Sequence, residues 1–511
     1  MFKDFKKIFS NKVMEYDICI IGSGPAGISV AKQLLETNKR IAILESGGLE
    51  IEDEYHDLNQ GINSGPNYLS LDNSRLRCFG GAGKLWAGHC VPFKKDEFDK
   101  KLFIPLSGWP ISLDDLKIYY KKAADMLGIS YEKFFDENLF GNTYEEKSFN
   151  ELNSNGSLIT SNIKQISSSI NRDFSEKYKK EFINSKNLDV IYHATVICLN
   201  SSDNAKNIKS VTLSDLNDNK ALLKAKIFVL ACGALENPRI LLNSNKTYKN
   251  GIGNENGMVG SCFMSHPSIN EVAEVKKNKQ TCVSYDKSID YKVNFEVSSK
   301  ERYKQKILRH SINFVPSKNQ INSKHQSYKS GLSDYFKILN NTNLFNRIFC
   351  KAIFDKEFSS KNWVINIGLE QPPLMSNKIN LDKMKDKLGM PLINLYWAKL
   401  SKIEEDTVIK AVKNTARTLG LQSSGRIKFT DELLNGSAFN FDDPINHHIG
   451  TTRMSDNPKT GVVDKNCKVF GILNLYITGS SNFPTSSIAN PTYTIVALSL
   501  RLGEYLKNIK L

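Results

Sequence analysis

The first fifty residues alternate between short apolar runs and one stretch of helical periodicity. Residues 18–21 are all apolar, which is typical of a buried parallel strand. Apolar side chains then recur at helical spacing from Ile28 to Leu35, and a second apolar run covers 41–44. The order of strand, helix and strand predicts a βαβ unit of a parallel sheet.

The same pattern returns further along the chain. Residues 188–199 are predicted as one strand, and 208–213 with 221–225 as a hairpin. Another apolar run begins at Ile227 and leads through Gly233 into a helix, as at the crevice of a nucleotide-binding sheet. Additional helices are predicted from Ser112 to Leu127, over 405–420 and at the C-terminus to Leu506, and residues 1–15 are expected to form a short basic leader or a surface helix.

The composition changes between residues 269 and 440. Lysine, serine and asparagine are dense from 275 to 333, where a strand-like run over 307–315 is embedded. We expect a second, mostly antiparallel domain here. A chain of 511 residues is also too long for one simple core.

The charge and the cysteines bear on partners and location. The net charge of +15 fits either an anionic partner or a lysine-rich surface, and the dispersed lysines favour the surface, so no nucleic-acid partner is expected. Nine scattered cysteines without a C-x-x-C pair argue against a disulfide framework and fit the reducing cytoplasm.

No apolar run reaches membrane-spanning length. Residues 335–354 show one apolar helical face, which favours packing on the protein body and leaves contact with a membrane surface as an alternative.

A glycine loop lies between the first strand and the first helix. Gly22, Gly24 and Gly27 have G-x-G-x-x-G spacing, and Glu45 ends the next strand. In such loops the first glycine permits the turn, the second allows a pyrophosphate to approach, and the third lets helix pack on strand, while the acidic residue bonds ribose hydroxyls. The pattern predicts a dinucleotide site and leaves NAD and FAD both open.

Two further segments carry candidate chemistry. Between Arg75 and Phe93, four glycines surround Trp86, which indicates either backbone lying against a flat ligand or a tight loop with the indole in the core. The last segment contains Asn446-His-His-Ile-Gly-Thr-Thr-Arg-Met-Ser455 and Asn490-Pro-Thr. The order and spacing of all these motifs resemble the glucose–methanol–choline (GMC) oxidoreductases, a family of FAD enzymes.

The resemblance implies an α/β fold: a discontinuous Rossmann-like FAD-binding domain plus a mostly antiparallel α+β substrate domain. The FAD-binding domain would comprise 1–110, 186–268 and 441–511, and the substrate-binding domain 111–185 and 269–440.

The resemblance also assigns the cofactor contacts. Leu85 stands where one branch of the family carries a histidine that binds flavin covalently, so non-covalent FAD is expected. Contacts are implied for the ADP part at Gly22, Gly24, Gly27 and Glu45, for the pyrophosphate and isoalloxazine at Gly80, Gly81 and Trp86, and for the adenine region at Val196. Gly233 belongs to the second crevice motif, and Gly479 with the turn to Pro491 would close over the flavin.

The family's catalytic histidine lies three residues before the glycine of a G-T pair, which is His447 here, and its usual partner matches Asn490. A histidine suits proton removal near neutral pH, and an amide can orient the substrate oxygen. His448 is the main rival, and His266 and His89 are expected behind the reacting pair, with a place in the pocket lining left open. No acidic or cysteine cluster accompanies the two adjacent histidines, so no metal site is expected.

The expected function is oxidation of a CH–OH donor, a sugar or polyol-like alcohol, to a carbonyl, with hydride transfer to flavin N5 and proton removal by His447. The alternatives are an NAD(P)-dependent dehydrogenase and a non-catalytic flavoprotein or peripheral membrane module. The C-terminal motifs argue against the first, and the His447/Asn490 pair argues against the second. Oxygen, a quinone and a carrier protein all remain open as electron acceptor.

Overall fold

A computed structural model of the chain describes residues 1–8, 13–65, 68–135, 158–202, 204–277, 291–316, 363–398, 400–421, 425–430, 433 and 442–510. Its strands are β1 (Phe2–Asp4), β2 (Val13–Ile21), β3 (Ile41–Leu44), β4 (Gly61–Asn63), β5 (His89–Cys90), β6 (Ile159–Ile166), β7 (Leu188–Tyr192), β8 (Thr195–Ser201), β9 (Ile208–Ser214), β10 (Lys220–Leu230), β11 (Met264–Lys277), β12 (Tyr291–Val297), β13 (His310–Pro316), β14 (Trp363–Leu369), β15 (Lys378–Lys385), β16 (Pro391–Tyr396), β17 (Gly425–Phe429), β18 (Asp442–Ile449) and β19 (Leu475–Ile477). Its helices are α1 (Pro25–Leu34), α2 (Asp53–His56), α3 (Lys95–Phe98), α4 (Asp114–Leu127), α5 (Glu132–Phe135), α6 (Ser169–Arg172), α7 (Phe174–Asn184), α8 (Gly233–Asn243), α9 (Ser299–Gln305), α10 (Lys402–Leu421) and α11 (Thr492–Asn508).

The first sheet contains the predicted βαβ unit. Its strand order is β1-β7-β3-β2-β10-β9-β8, and β19 also pairs with β10. The neighbouring strands β1, β7, β3, β2 and β10 pair in parallel. Strands β8, β9 and β10 form an antiparallel meander. Residues 18–21 and 41–44 are almost fully buried, because both faces of a parallel sheet are covered.

Helices from distant parts of the chain cover this sheet. Helix α1 packs against α11, where Gly503 allows close approach to Gln33. Helix α4 also packs against α11, and the hydroxyls of Tyr120 and Thr494 are 2.8 Å apart. The N-terminal and C-terminal segments therefore share one hydrophobic core.

The second sheet is antiparallel and has its own core. Its order is β17-β11-β14-β13-β12-β6-β5, with β18 also paired to β11. Its buried side chains cluster with those of α10. A small third sheet has the order β15-β16-β4. The mixed α/β architecture with a mostly antiparallel second layer agrees with the predicted fold class.

Two local predictions are wrong. The interpretation of 1–15 as a basic leader or surface helix is not met in the described residues 1–8 and 13–15, because β1 pairs in parallel with β7, the short 3-10 turn at Phe5–Lys7 places Phe5 in the core at 1% exposure, and β2 begins at Val13. Residues 188–199 are two strands, β7 and β8, because the chain turns at His193, which has a φ of +57°.

The sheets cross the predicted domain boundaries. Strands β4, β5 and β18 fall within the predicted FAD-binding ranges but pair in the second and third sheets. Conversely, α4 and α7 fall within 111–185 but pack on the first core. The division into two domains at those residue numbers stays a prediction.

The amphipathic stretch at 335–354 lies outside the described residues. Within the described ranges, no helix is long and apolar enough to cross a membrane.

Candidate active site

A cavity of about 690 Å³ opens at the carboxyl ends of β2, β3 and β10. This volume lies within the range of about 300–1,000 Å³ that is usual for ligand and cofactor sites. Its wall combines segments that are distant in sequence, among them 21–26, 44–46, 73–77, 194–196, 231–236, 446–448 and 490–492.

The glycine loop forms part of the cavity wall. Gly22 has a φ of +102°, which turns the chain from β2 into α1. A Cβ on Gly27 would lie 1.9 Å from the carbonyl oxygen of Gly22, so that helix and strand touch. A Cβ on Gly24 would meet no atom within 4 Å, and Gly24 lines the cavity. The N-terminus of α1 therefore faces open space, where its N–H groups favour an anion.

Glu45 lies beside this loop at the end of β3. Its Oε1 accepts from the Gly47 N–H at 3.0 Å, and its Oε2 accepts from the Ser23 N–H at 3.2 Å and from the Ser23 hydroxyl. Burial raises the pKa of Glu45, and these hydrogen bonds partly oppose that shift. The carboxylate is thus held in the cavity wall next to the glycine loop.

Most of the sequence-predicted site residues line this one cavity, and two do not. Gly27 lies behind the wall in the contact between α1 and β2, and Gly80 faces Ser175, where a Cβ would lie 2.7 Å from the serine Cβ. The residues that line the cavity are Gly22, Gly24, Glu45, Gly81, Trp86, Val196, Gly233, His447, Gly479, Asn490 and Pro491.

Trp86 is half-buried and combines both of the roles considered for it. Its ring packs against the first core and its indole N–H donates to the carbonyl oxygen of Arg172 at 3.1 Å, while the residue also lines the cavity. The indole is therefore fixed in a wall that a ligand can contact.

His447 and Asn490 come together in the wall of the same cavity. The Asn490 Nδ2 lies 3.4 Å from the His447 Nε2. The other ring nitrogen of His447, Nδ1, lies 2.8 Å from the Nδ1 of His266 on β11. His266 is 1% exposed and does not line the cavity, so it acts from behind His447.

The histidines here favour the neutral state. Burial, followed by the charges of His266 and Lys164, lowers the pKa of His447 well below the ordinary imidazole value. Burial lowers the pKa of His266 to about 4 and that of His448 to about 3. Neutral imidazoles can accept a proton, so His447 is available as a base at neutral pH.

His448 also lines the cavity, although its partners differ from those of His447. Its ring lies 6.0 Å from those of Tyr68 and Phe263, measured between centroids. Its Nε2 is buried and has no hydrogen-bond partner in the described part of the chain. His89 lines the cavity as well.

Sequence reasoning missed a buried charge cluster in the wall. Glu236, in the first turn of α8, is paired with Arg75, with Arg77 at 2.9 Å and with Arg239 at 3.4 Å. The three guanidinium groups hold the pKa of Glu236 far below its usual value against the effect of burial. Lys164 was missed too, because its surroundings in the sequence are polar and carry no motif.

The cavity residues fit a dinucleotide such as FAD. An added Cβ would meet nothing within 4 Å at Gly24 or at Gly233, so backbone borders open space at two points of the wall. The N–H groups of α1 suit a pyrophosphate there, and Trp86 offers a flat face. Among the described residues, no group of three or more acidic, histidine or cysteine side chains is arranged to hold a metal ion.

Family comparison gives the same assignment. Two models described as GMC oxidoreductase, for the N-terminal and the C-terminal part, match residues 119–268 and 373–499, together more than half of the chain. The chain belongs to the GMC oxidoreductase family and is an FAD-dependent oxidoreductase that acts on alcohol groups. The predicted family is confirmed, and the NAD(P)-dependent alternative is set aside.

Individual relatives span nearly the whole chain at low identity. The 2-methyl-1,2-propanediol dehydrogenase of Mycolicibacterium austroafricanum is 23% identical over 96% of this chain and 95% of its own length. The fructose dehydrogenase large subunit of Gluconobacter japonicus is 20% identical over 98% and 99%. The crystal structure of a formate oxidase covers 98% of this chain and 99% of its own, with a TM-score of 0.58 and 16% identity, a similarity of fold.

Proposed function

We propose that the protein oxidises the CH–OH group of a sugar or polyol-like alcohol to a carbonyl, with His447 as the base. The observation that carries this proposal is the His447–Asn490 pair, with 3.4 Å between Nε2 and Nδ2, in the wall of the cavity that the glycine loop also lines. The names of the relatives, a propanediol dehydrogenase and a fructose dehydrogenase, support a donor with more than one hydroxyl group.

The reaction removes a proton from oxygen and a hydride from carbon. FAD supplies the hydride acceptor when it is bound. The Nε2 of His447 takes the hydroxyl proton, because its neutral form predominates and it faces the cavity. Such a base contributes roughly 10²–10⁴-fold to the rate.

Asn490 orients the groups that react. One of its Nδ2 hydrogens points to His447, and the second can donate to the alcohol oxygen. Because an amide does not titrate, this geometry holds across the pH range in which His447 works. Orientation of this kind reduces the entropy cost of reaching the transition state.

We propose further that FAD is held without a covalent bond to residue 85, which is a leucine in this chain. This residue lines the cavity and has no nucleophilic atom. Acid precipitation of the holoenzyme should therefore release all flavin into the supernatant. Flavin that stays with the protein pellet would contradict this part of the proposal.

The decisive experiment is anaerobic mixing of the yellow holoenzyme with a panel of sugars, polyols and simple alcohols. We expect bleaching of the flavin absorbance by at least one polyol, and admission of oxygen afterwards shows whether oxygen is the acceptor. In His447→Ala the protein should stay yellow, while bleaching slows at least about 10²-fold.

The matched control is His448→Ala, which removes the neighbouring imidazole from the same wall. Slow bleaching in this variant together with unchanged bleaching in His447→Ala would overturn the assignment of the base. A folded protein that neither carries nor takes up FAD would overturn the proposed function as a whole.

The cytoplasmic location and a contact of residues 335–354 with a membrane surface stay predictions. The cysteines of the described residues are free, which supports a reducing compartment. Co-sedimentation of the whole protein with anionic vesicles tests the membrane contact, and a protein that stays in the supernatant would exclude it.

A further inference from the structure

The side of His447 that faces away from the cavity makes one short contact. Its Nδ1 lies 2.8 Å from the Nδ1 of His266, and the two rings are nearly perpendicular, at 86°. Their backbones are neighbours, because β11 pairs with β18 and His266 stands opposite Ile445. Between two nitrogens at this distance one must donate and the other must accept.

The carbonyl oxygen of Ser486 decides which nitrogen of His266 carries the proton. It lies 3.2 Å from the Nε2 of His266. A carbonyl oxygen only accepts, so Nε2 must carry the hydrogen. Burial lowers the pKa of His266 to about 4, so at neutral pH the ring has a single proton and its Nδ1 holds a lone pair.

The protonation of His447 follows from that of His266. With a lone pair on the Nδ1 of His266, the Nδ1 of His447 must donate, and its Nε2 is left without a hydrogen. The Asn490 amide, which donates at 3.4 Å, meets that Nε2 as an acceptor. All three contacts therefore agree on one tautomer of His447.

We propose that His266 is a positioning residue that fixes His447 in its Nδ1–H tautomer and so keeps Nε2 free of hydrogen, able to receive the alcohol proton once the substrate hydroxyl replaces the Asn490 amide as its donor. This inference rests on the proposed function, in which His447 Nε2 receives the hydroxyl proton. In that step the O–H bond would break and an N–H bond would form at Nε2, the electron pair left on oxygen would form the C=O bond, and the C–H hydrogen would leave with its electron pair; bound FAD would supply the hydride acceptor.

Gln371 holds Ser486 and the backbone next to His266 in place. Its backbone N–H donates to the Ser486 hydroxyl at 2.9 Å, and that hydroxyl lies 3.0 Å from its carbonyl oxygen. Its side-chain Oε1 accepts from the N–H of Ser265, the residue before His266, at 2.9 Å. The Ser486 carbonyl and the His266 ring are thus tied to one buried residue, which is 0% exposed.

Among the described residues, the groups with the largest effects on the pKa of His447 include no carboxylate that could select a tautomer. Burial lowers this pKa most, and the largest charge effects come from His266, Lys164, His448 and His89, each of which lowers it further. A carboxylate partner would both orient the ring and raise its pKa. Here a neutral imidazole orients the ring without raising the pKa, so a fixed tautomer is combined with a weak, unprotonated base.

The test is nitrogen NMR of the oxidised holoenzyme labelled with ¹⁵N-histidine, in which the His447 signals are identified by their loss in His447→Gln. We expect a neutral ring protonated at Nδ1 in the wild type. In His266→Leu the fixed tautomer should be lost, and kcat for flavin reduction should fall roughly 10–10²-fold with little change in KM.

Rescue and control variants separate this role from a structural one. His266→Gln keeps an acceptor for His447 and a donor for Ser486, so it should restore most of the rate and the Nδ1–H signal. His310→Gln removes an equally buried histidine of the same sheet that does not line the cavity, and it should leave both readouts unchanged.

A wild-type His447 protonated at Nε2 would overturn the inference, even if His266→Leu does not fold. Equal rates and equal spectra in His266→Leu and His266→Gln would overturn it as well. Failure of the proposed function looks different: His447→Gln would then reduce flavin as fast as the wild type, whatever tautomer the spectrum shows.

Discussion

At the residue scale, the glycines of the first loop divide between fold and ligand. Gly27 allows α1 to touch the preceding turn, since any Cβ there would overlap the Gly22 carbonyl oxygen at 1.9 Å. Gly24 borders only open space in the cavity. The lack of a side chain therefore permits helix packing at Gly27 and leaves the cavity open at Gly24, where we predict access for the cofactor.

Two alanine variants should separate these roles. Gly24→Ala should raise the dissociation constant for FAD at least about tenfold, because its Cβ occupies the approach of the pyrophosphate. Its apoprotein should lose no more than about 1 kcal/mol. Gly27→Ala should lower the free energy of unfolding by about 1–3 kcal/mol through overpacking. Flavin titration measures the dissociation constant for FAD, and urea unfolding measures the free energy of unfolding. Unchanged FAD affinity in Gly24→Ala would contradict the prediction that the pyrophosphate approaches at Gly24.

The pH dependence of catalysis follows from the state of His447. In the proposed reaction His447 works in its neutral form, and its pKa lies well below the ordinary imidazole value because of burial and of nearby His266 and Lys164. We therefore expect kcat/KM for anaerobic flavin reduction to be level across neutral pH and to fall only at acidic pH, as the ring becomes protonated. A profile that still rises through pH 7 would show that the base titrates normally.

At the element scale, long-range contacts decide where strands end. The turn between β7 and β8 is at His193, whose Nδ1 lies 2.8 Å from Asp4 and whose Nε2 lies 2.8 Å from Glu52. Its positive φ is uncommon outside glycine. The two carboxylates come from β1 and from the segment before α2, so the local sequence 188–199 carries no sign of the break.

The first turn of α8 depends on the charge of Glu236. Glu236→Gln should leave Arg75, Arg77 and Arg239 without their shared carboxylate and cost roughly 3–5 kcal/mol at pH 7. Because the folded-state pKa of Glu236 lies below its unfolded value, this stability is present above about pH 4.5 and is lost as pH falls. Urea unfolding at pH 7 and pH 4 measures the effect.

The control for that experiment is Glu50→Gln. Glu50 pairs with Lys84 at 3.1 Å, but its side chain is 71% exposed. An exposed pair contributes about 0–1 kcal/mol, so this variant should unfold almost as the wild type does. Equal losses in the two variants would mean that the buried cluster contributes no more than a surface pair.

At the scale of the whole molecule, the two ends of the chain build one site. Lys39, just after α1, donates to the carbonyl oxygens of Leu506, Lys507 and Ile509 at 2.7 to 2.9 Å. A cation there also suits the negative end of the α11 dipole. The glycine loop and the His447–Asn490 pair therefore belong to one structural unit.

FAD should stabilise this unit, since residues from both ends of the chain line its cavity. At free FAD one hundred times above its dissociation constant, the gain is about 2.7 kcal/mol. Removal of FAD should lower the unfolding temperature, and added FAD should restore it. Gly24→Ala should show a smaller shift at equal FAD concentration. Identical unfolding temperatures with and without FAD would contradict a shared site.

The sequence by itself determined the parts of the fold whose cause is local. The run 41–44 is β3 to the residue, and the predicted helix ending at Leu127 is α4, because hydrophobic period, capping residues and turns are short-range properties. The same holds for the glycine loop. Its spacing and flanking strands predicted the turn at Gly22 and the open approach at Gly24.

Only the tertiary structure decided which distant residues meet. It paired β1 with β7 and placed β18 beside β11, and it brought His266 to His447 and the Ser486 carbonyl to His266. These contacts depend on how whole sheets and helices pack, which no local pattern encodes. The sequence thus pointed to His447 and Asn490 as the proposed reacting pair. The proposed tautomer of His447 depends instead on His266, 181 positions away, and on Ser486, which lies 220 positions from His266, and only folding brings these residues together.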